Sequence, residues 1–253
     1  MFRFDNRVVA ITGASSGLGY QMADSFAQQG AALVLMARRV EKCEALAKIL
    51  KEKYNAESLC IKCDVTSTES VNAAAKAAEE KFGKVDILVN NAGASKNGGC
   101  LDMTDEDWDF TIDVDLKSVF LVTRAFGNIM KKHNYGRIIN IASIYGLVGN
   151  KVLEAPAYHA SKGGVINFTR AVAAELAKYN ITCNAICPGF FTTELTEDFM
   201  ETEMFDNYCK ASVPMLRWGK EGEINPGAIF LASEEASYVT GIALPIDGGY
   251  TAV

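Results

Sequence analysis

The chain has 253 residues, 49% of them hydrophobic, and a formal net charge of −6. That length can bury one sizeable α/β core, while the acidic balance leaves no electrostatic footprint for nucleic acid. The apolar runs fall far short of the ~20 residues a membrane span needs, and residues 1–7 are too few and too charged for a secretory signal, so a cytoplasmic protein is expected.

In chain order, residues 7–12 (Arg-Val-Val-Ala-Ile-Thr) read as a short buried strand running into Gly13-Ala14-Ser15-Ser16-Gly17-Leu18-Gly19. A helical pattern over 17–29 follows, with Met22 and Phe26 on one side and Gly30 at its end. A strand, a glycine turn and a helix place free backbone N–H groups and a positive dipole end against a phosphate. Glycine is required there because a side chain holds a pyrophosphate off the backbone.

The second strand, 31–36, leads to Ala37-Arg38-Arg39. In dinucleotide-binding folds a carboxylate at this place holds a ribose 2′-hydroxyl, whereas arginine accommodates a 2′-phosphate. No carboxylate is present, and a guanidinium gives two parallel charged hydrogen bonds to phosphate. NADP(H) is therefore expected in preference to NAD(H), with Ser15 as an added donor. A helix over 40–53 and a strand over 58–63 follow. At the end of that strand the Asp64 carboxylate, beside Val65, is placed to accept from an adenine amino group.

After a helix over 67–82, residues 85–90 read as a fourth strand followed by Asn91-Ala92-Gly93, small and amide residues past which a ribose and adenine can run close to the backbone. A long helical pattern over 105–132 opens on Thr104-Asp105-Glu106-Asp107, a capping-box-like start. A strand over 136–142 precedes Ser143. Fifteen residues on, Tyr158 and Lys162 stand one helical turn apart on a helix over 157–178, so phenol and ammonium emerge on one face. A cation beside a phenol favours the ionised phenol, whose ordinary value near ~10 is too high for base chemistry at neutral pH. Ser143 can hydrogen-bond the same substrate oxygen. Strands over 181–187 and 241–246, with a helix over 222–233 between them, complete an alternation that argues for parallel strands joined by right-handed crossovers.

Taken together, Thr12-Gly13-x-x-x-Gly17-x-Gly19, Asn90-Asn91-Ala92-Gly93, Ser143, Tyr158-x-x-x-Lys162 and Pro188-Gly189 resemble the short-chain dehydrogenase/reductase family over essentially the whole chain. The resemblance implies a Rossmann-type, three-layer, doubly wound parallel sheet of seven strands, in a single domain holding cofactor and substrate. It implies cofactor contacts along 13–19 (Gly13, Ser15, Ser16, Gly17, Leu18, Gly19) and at Arg38, Arg39, Asp64, Val65, Asn91, Ala92, Gly93, Tyr158 and Lys162. Pro188, Gly189, Phe191 and Thr193 are expected beside the nicotinamide. Ser143, Tyr158 and Lys162 are the catalytic set, which interconverts a ketone and a secondary alcohol. Residues 192–214 resemble a substrate lid, and the helices over 105–132 and 157–178, with the last strand and tail, resemble the surfaces that assemble homotetramers. A dinucleotide-binding sensor without turnover is the other class of function, disfavoured because all three catalytic residues are kept.

The chain departs from the family pattern in two places. Asp115 stands where relatives carry an asparagine whose main-chain carbonyl holds a relay water; a buried carboxylate needs partners or a proton, and Lys162 is the expected neighbour. The Ser143–Tyr158 interval is about two residues longer than usual, within 149–155. Substrate identity stays open. The lid carries Glu194, Glu197, Asp198, Glu201, Glu203 and Asp206 against Lys210, which disfavours an anion unless Lys96, Lys151 or Arg217 turns inward. Its Leu195, Phe199, Met200, Met204, Phe205 and Tyr208 suit a hydrophobic ketone. Asp115-Leu116 and Arg217-Trp218-Gly219, in contrast, resemble gluconate 5-dehydrogenase and 3-oxoacyl reductase members. Seven cysteines without an export signal are expected to stay reduced. Neither Cys60-x-x-Cys63 nor the two histidines, His133 and His159, has the partners of a metal site, and none is expected.

Overall fold

Valine, isoleucine and leucine runs without polar alternation can only be strands covered on both faces. The computed structural model, which describes residues 2–151, 153–192 and 202–253, shows how that cover is made. Strands β1 (Val8–Thr12), β2 (Ala32–Ala37), β3 (Ser58–Lys62), β4 (Ile87–Asn90), β5 (Gly136–Ile141), β6 (Ile181–Pro188) and β7 (Ala243–Ile246) form one parallel sheet in the order β3-β2-β1-β4-β5-β6-β7. Val8 and Ala10 point to one face and Val9 and Ile11 to the other, so β1 feeds two separate cores, as the two-residue side-chain period requires.

On one face lie α1 (Gly17–Gln28), α2 (Val40–Tyr54) and α8 (Asn225–Ala232), through Met22, Phe26, Leu46, Leu50 and Leu231. On the other lie α3 (Thr68–Phe82) and α5 (Ser118–His133), through Val71, Ala74, Ala78, Leu121, Phe126 and Met130. Helix α6 (Pro156–Leu176) packs on β6 through Val165 and Ile166, with Pro156 in its first turn where its missing N–H costs nothing. Local chemistry sets many of the ends. Ser67 Oγ caps α3 by accepting from Ser70 N–H, and Asn55, Asn134 and Asn180 take left-handed backbone conformations as helices end.

The strand order reverses between β1 and β4, the switch point at which an open α/β sheet leaves a crevice beyond its carboxyl ends. Two expectations need correction. The long helix over 105–132 is not continuous: α4 (Asp105–Ile112), capped by Thr104 Oγ1, passes through a π-helical turn at Asp113–Lys117 before α5 begins. Such a turn carries one more residue than an α-turn and marks functional positions; here it turns the Asp115 carboxylate into the interior. The helix over 222–233 starts later, at Asn225, because Gly222 adopts a left-handed φ of 82° and Pro226 suits a first turn. Within the segment expected to be a lid, Glu203–Ser212 forms a helix, α7, capped by Thr202 accepting from Phe205 N–H. Among the described residues no helix is long and apolar enough to cross a membrane.

Candidate active site

The glycine loop that leaves β1 is clipped to the end of β4. Thr12 Oγ1 accepts from the N–H groups of Asn91 (2.9 Å) and Ala92 (3.0 Å), and Asn91 Nδ2 donates to the carbonyls of Thr12 (3.0 Å) and Gly13 (3.2 Å). Asn91 and Ala92 thus shape the loop from behind. A Cβ on Gly19 would lie 2.4 Å from Gly13 O and 2.5 Å from Asn91 Nδ2, so α1 approaches the loop as closely as only glycine allows. Ser16 precedes α1 in extended conformation with no side-chain cap, which leaves the first-turn amides free for an anion. This cradle fits the pyrophosphate of a dinucleotide.

Ser15 and Ser16 are half-buried, Leu18 packs on the core beneath, and Val65 packs on the opposite core. Arg38 and Arg39 are exposed at the end of β2, and Arg39 Nη2 donates to Ser16 Oγ at 3.1 Å, beside the loop. Asp64 Oδ1 accepts from Thr66 N–H (2.9 Å) and Thr66 Oγ1 (2.7 Å). With Arg38 nearby, these bonds hold its carboxyl below the usual range. Pro188 ends β6, and Gly189 N–H donates to Ile246 O at 2.9 Å, tying β6 to β7. The Phe191 side chain is turned away from the crevice, buried in the core against Gly219. Only its main chain is left to face a cofactor. Thr193 lies outside the described residues.

The residues expected to be catalytic come from two elements, the turn after β5 and helix α6. Ser143 follows β5 and caps a short turn, its Oγ accepting from Tyr145 N–H at 3.1 Å. That turn is pressed onto α6, since a Cβ on Gly146 would meet Lys162 C and O at 2.7 Å. Tyr158 and Lys162 share one face of α6, with Lys162 Nζ 5.5 Å from the Tyr158 ring centroid. Lys162 is 5% exposed, and its Nζ donates to Ile141 O at 3.2 Å and lies 3.8 Å from Asp115 Oδ2. Asp115 is fully buried; its Oδ1 accepts from Ala94 N–H at 2.9 Å, and Gly93 lies against it. Burial pushes the Asp115 carboxyl up, and the Lys162 charge pulls against that shift. The expected Asp115–Lys162 neighbourhood is present in the structure.

Beside Tyr158 stands an aromatic wall that sequence reasoning found only in pieces. The Tyr145 ring lies edge-on to Tyr158 (centroids 6.4 Å) and stacks on His159 (4.8 Å). Phe190 makes edge contacts with Tyr145, Phe205, Tyr208, Trp218 and Tyr250 at 5.0–6.2 Å. Neither Phe190 nor Tyr145 was expected at the site. The available signal was the pair Phe190-Phe191 after Pro188-Gly189: alternation sends one ring to the core and the other to the crevice. Of the cations named as partners for an anion, Arg217 is held by both oxygens of Glu223 (2.7 and 2.8 Å) and Lys96 lies over the Phe110 ring. Lys151 is exposed. Among the described residues no group of three His, Cys, Asp or Glu side chains gathers as a metal site.

The chain is similar to known proteins along nearly its whole length. A family model described as enoyl-(acyl carrier protein) reductase matches residues 13–251. The chain is 40% identical over 252 residues to galactitol 2-dehydrogenase (L-tagatose-forming) of Cereibacter sphaeroides, covering 99% of this chain and 97% of that protein. It is also 40% identical over 252 residues to the 3-oxoacyl-(acyl-carrier-protein) reductase FabG of Thermotoga maritima, covering 98% of each. A solved gluconate 5-dehydrogenase from Burkholderia cenocepacia, in complex with NADP and tartrate, superposes with a TM-score of 0.94 at 35% identity, covering 100% of this chain and 98% of that one.

Proposed function

Because the chain belongs to the short-chain dehydrogenase/reductase family, oxidoreductases that bind a nicotinamide dinucleotide, we propose that it interconverts a ketone and a secondary alcohol with NADP(H), using Tyr158 as acid and base. One observation carries this reading: Ser143, Tyr158 and Lys162 gather at the carboxyl end of β5, on the same side of the sheet as the glycine cradle. When bound, the nicotinamide supplies or takes up the hydride.

The side chains divide the remaining work. Ser143 Oγ accepts from Tyr145 N–H, so its own proton is free to donate to the substrate oxygen. Tyr158 delivers a proton to that oxygen during reduction and removes it during oxidation. Lys162, fixed by Ile141 O and Asp115, steadies the charge that Tyr158 carries between the two events and has a donor left for a ribose hydroxyl. Arg38 and Arg39 at the end of β2 support a 2′-phosphate, and the gluconate 5-dehydrogenase solved with NADP favours the same cofactor. Residues 193–201 of the lid lie outside the described residues, and its helix α7 supplies Phe205 and Tyr208 as cover for the substrate. Assembly as a homotetramer fits two apolar patches, Trp108, Phe110 and Phe120 on α4–α5, and Phe230, Tyr238 and Ile242 around α8 and β7. Seven free thiols fit a reducing, cytoplasmic setting.

Tyr158→Phe tests the assignment. Turnover on a ketone panel should fall by at least about a thousandfold while NADPH binding, read by fluorescence titration, persists. Full activity in this variant overturns it.

A further inference from the structure

Three phenols with no charge among them converge beside the catalytic tyrosine. Tyr208 and Tyr250 hydroxyls lie 3.0 Å apart, and the Tyr145 ring stands edge-on to that of Tyr250, with centroids 6.5 Å apart. They come from three separate parts of the chain: the turn after β5, the lid helix α7 and the tail. Asn150, in the lengthened loop before α6, fixes the hydrogen-bond direction. Its Oδ1 accepts from Leu153 N–H at 3.0 Å, so its amide nitrogen is the group that donates to Tyr145 Oη. Tyr145 therefore receives one proton and keeps its own to give. Burial raises the values of both Tyr145 and Tyr250, which keeps these hydroxyls as neutral donors and acceptors.

The surroundings narrow the ligand further. The Phe190 ring lies edge-on to all three phenol rings and gives the cluster an apolar floor. Among the described residues, Arg217 is paired with Glu223 and Lys210 with Asp206, while Lys151 beside Asn150 is exposed to solvent. An ion seated against these phenols would be desolvated with no charge among them to offset the cost. An uncharged oxygen, by contrast, can take up a phenol proton or give one.

Resting on the oxidoreductase reading above, we propose that Tyr145, Tyr208 and Tyr250, oriented by Asn150, recognise a second, uncharged oxygen of the substrate. The substrate class is then a neutral ketone or secondary alcohol with a neighbouring hydroxyl or carbonyl, whose carbon face rests on Phe190. Tyr145 and Tyr208 are specificity residues, since they touch the part of the substrate that does not react.

The test compares kcat/KM for cyclohexanone, 2-hydroxycyclohexanone, cyclohexane-1,2-dione and 3-oxocyclohexane carboxylate, in the wild-type enzyme and in Tyr145→Phe and Tyr208→Phe. We expect at least one of the two dioxygenated ketones to exceed cyclohexanone by about tenfold or more, the worth of one net hydrogen bond, with the carboxylate poorest. Whichever is preferred tells a hydroxyl from a carbonyl as the second oxygen. Tyr145→Phe keeps every ring contact and should shrink that preference by about tenfold; Tyr208→Phe, on the lid, should shrink it independently. Preference for cyclohexanone or the carboxylate, or an equal loss on all four compounds in both variants, overturns the substrate class. A wild-type enzyme inert towards all four with either cofactor overturns the oxidoreductase reading beneath it.

Discussion

Replacing Asp115 by asparagine removes one charge from the catalytic cluster and little else. The amide keeps the side chain's volume and an oxygen to accept from Ala94 N–H, the bond now made at 2.9 Å. The missing charge lay 3.8 Å from Lys162 Nζ, itself 5.5 Å from the Tyr158 ring centroid, which puts the carboxylate within about 9 Å of that ring. At an effective dielectric of about 20, a unit charge at about 9 Å is worth about 2 kcal/mol, a little over one pH unit. A carboxylate opposes the ionised phenol and partly cancels the ammonium, so its removal helps the base form appear. The acid limb of kcat/KM for alcohol oxidation, followed from about pH 5 to about pH 11 at fixed ionic strength, should move to lower pH by about one unit. Because the pair is buried, the displacement should survive added salt. A limb that stays within about a quarter of a unit, or moves to higher pH, with cofactor affinity unchanged, refutes the argument: Asp115 would then hold no charge to remove.

Other expectations follow from the cofactor cradle. Thr12→Val preserves shape but leaves the Asn91 and Ala92 N–H groups without their acceptor, costing about 2–4 kcal/mol; the melting temperature should fall by about 5–10 °C, and a change under about 1 °C would contradict the clip. Gly19→Ala forces a methyl to within 2.4 Å of Gly13 O, so NADPH affinity measured by calorimetry should drop by about tenfold or more; an unaltered affinity would show the loop does not hold the pyrophosphate. Arg38→Ala with Arg39→Ala should lower the NADPH-to-NADH ratio of kcat/KM by about a hundredfold, since each guanidinium offers charged hydrogen bonds to a 2′-phosphate; an unchanged ratio would remove the arginines from cofactor choice.

Much of this protein is local information. Apolar runs of four to eight residues alternating with helical periodicity determined the seven strands and their parallel pairing, because a strand without a polar face must be covered on both sides. Glycines at 13, 17 and 19 and the one-turn spacing of Tyr158 and Lys162 marked the cradle and the base, since close backbone approach and a shared helix face depend on neighbours in sequence. Tertiary structure decided the rest. The π-helical turn at Asp113–Lys117 interrupts a pattern that looks continuous, and only packing against Lys162 and Ala94 shows that Asp115 points inward. Phe190 and Phe191 are adjacent and alike, yet one buries against Gly219 and the other anchors the aromatic wall. Tyr208 and Tyr250 meet across 42 positions and Tyr145 and Tyr250 across more than a hundred, and contacts of that range leave no periodic trace in the chain that makes them.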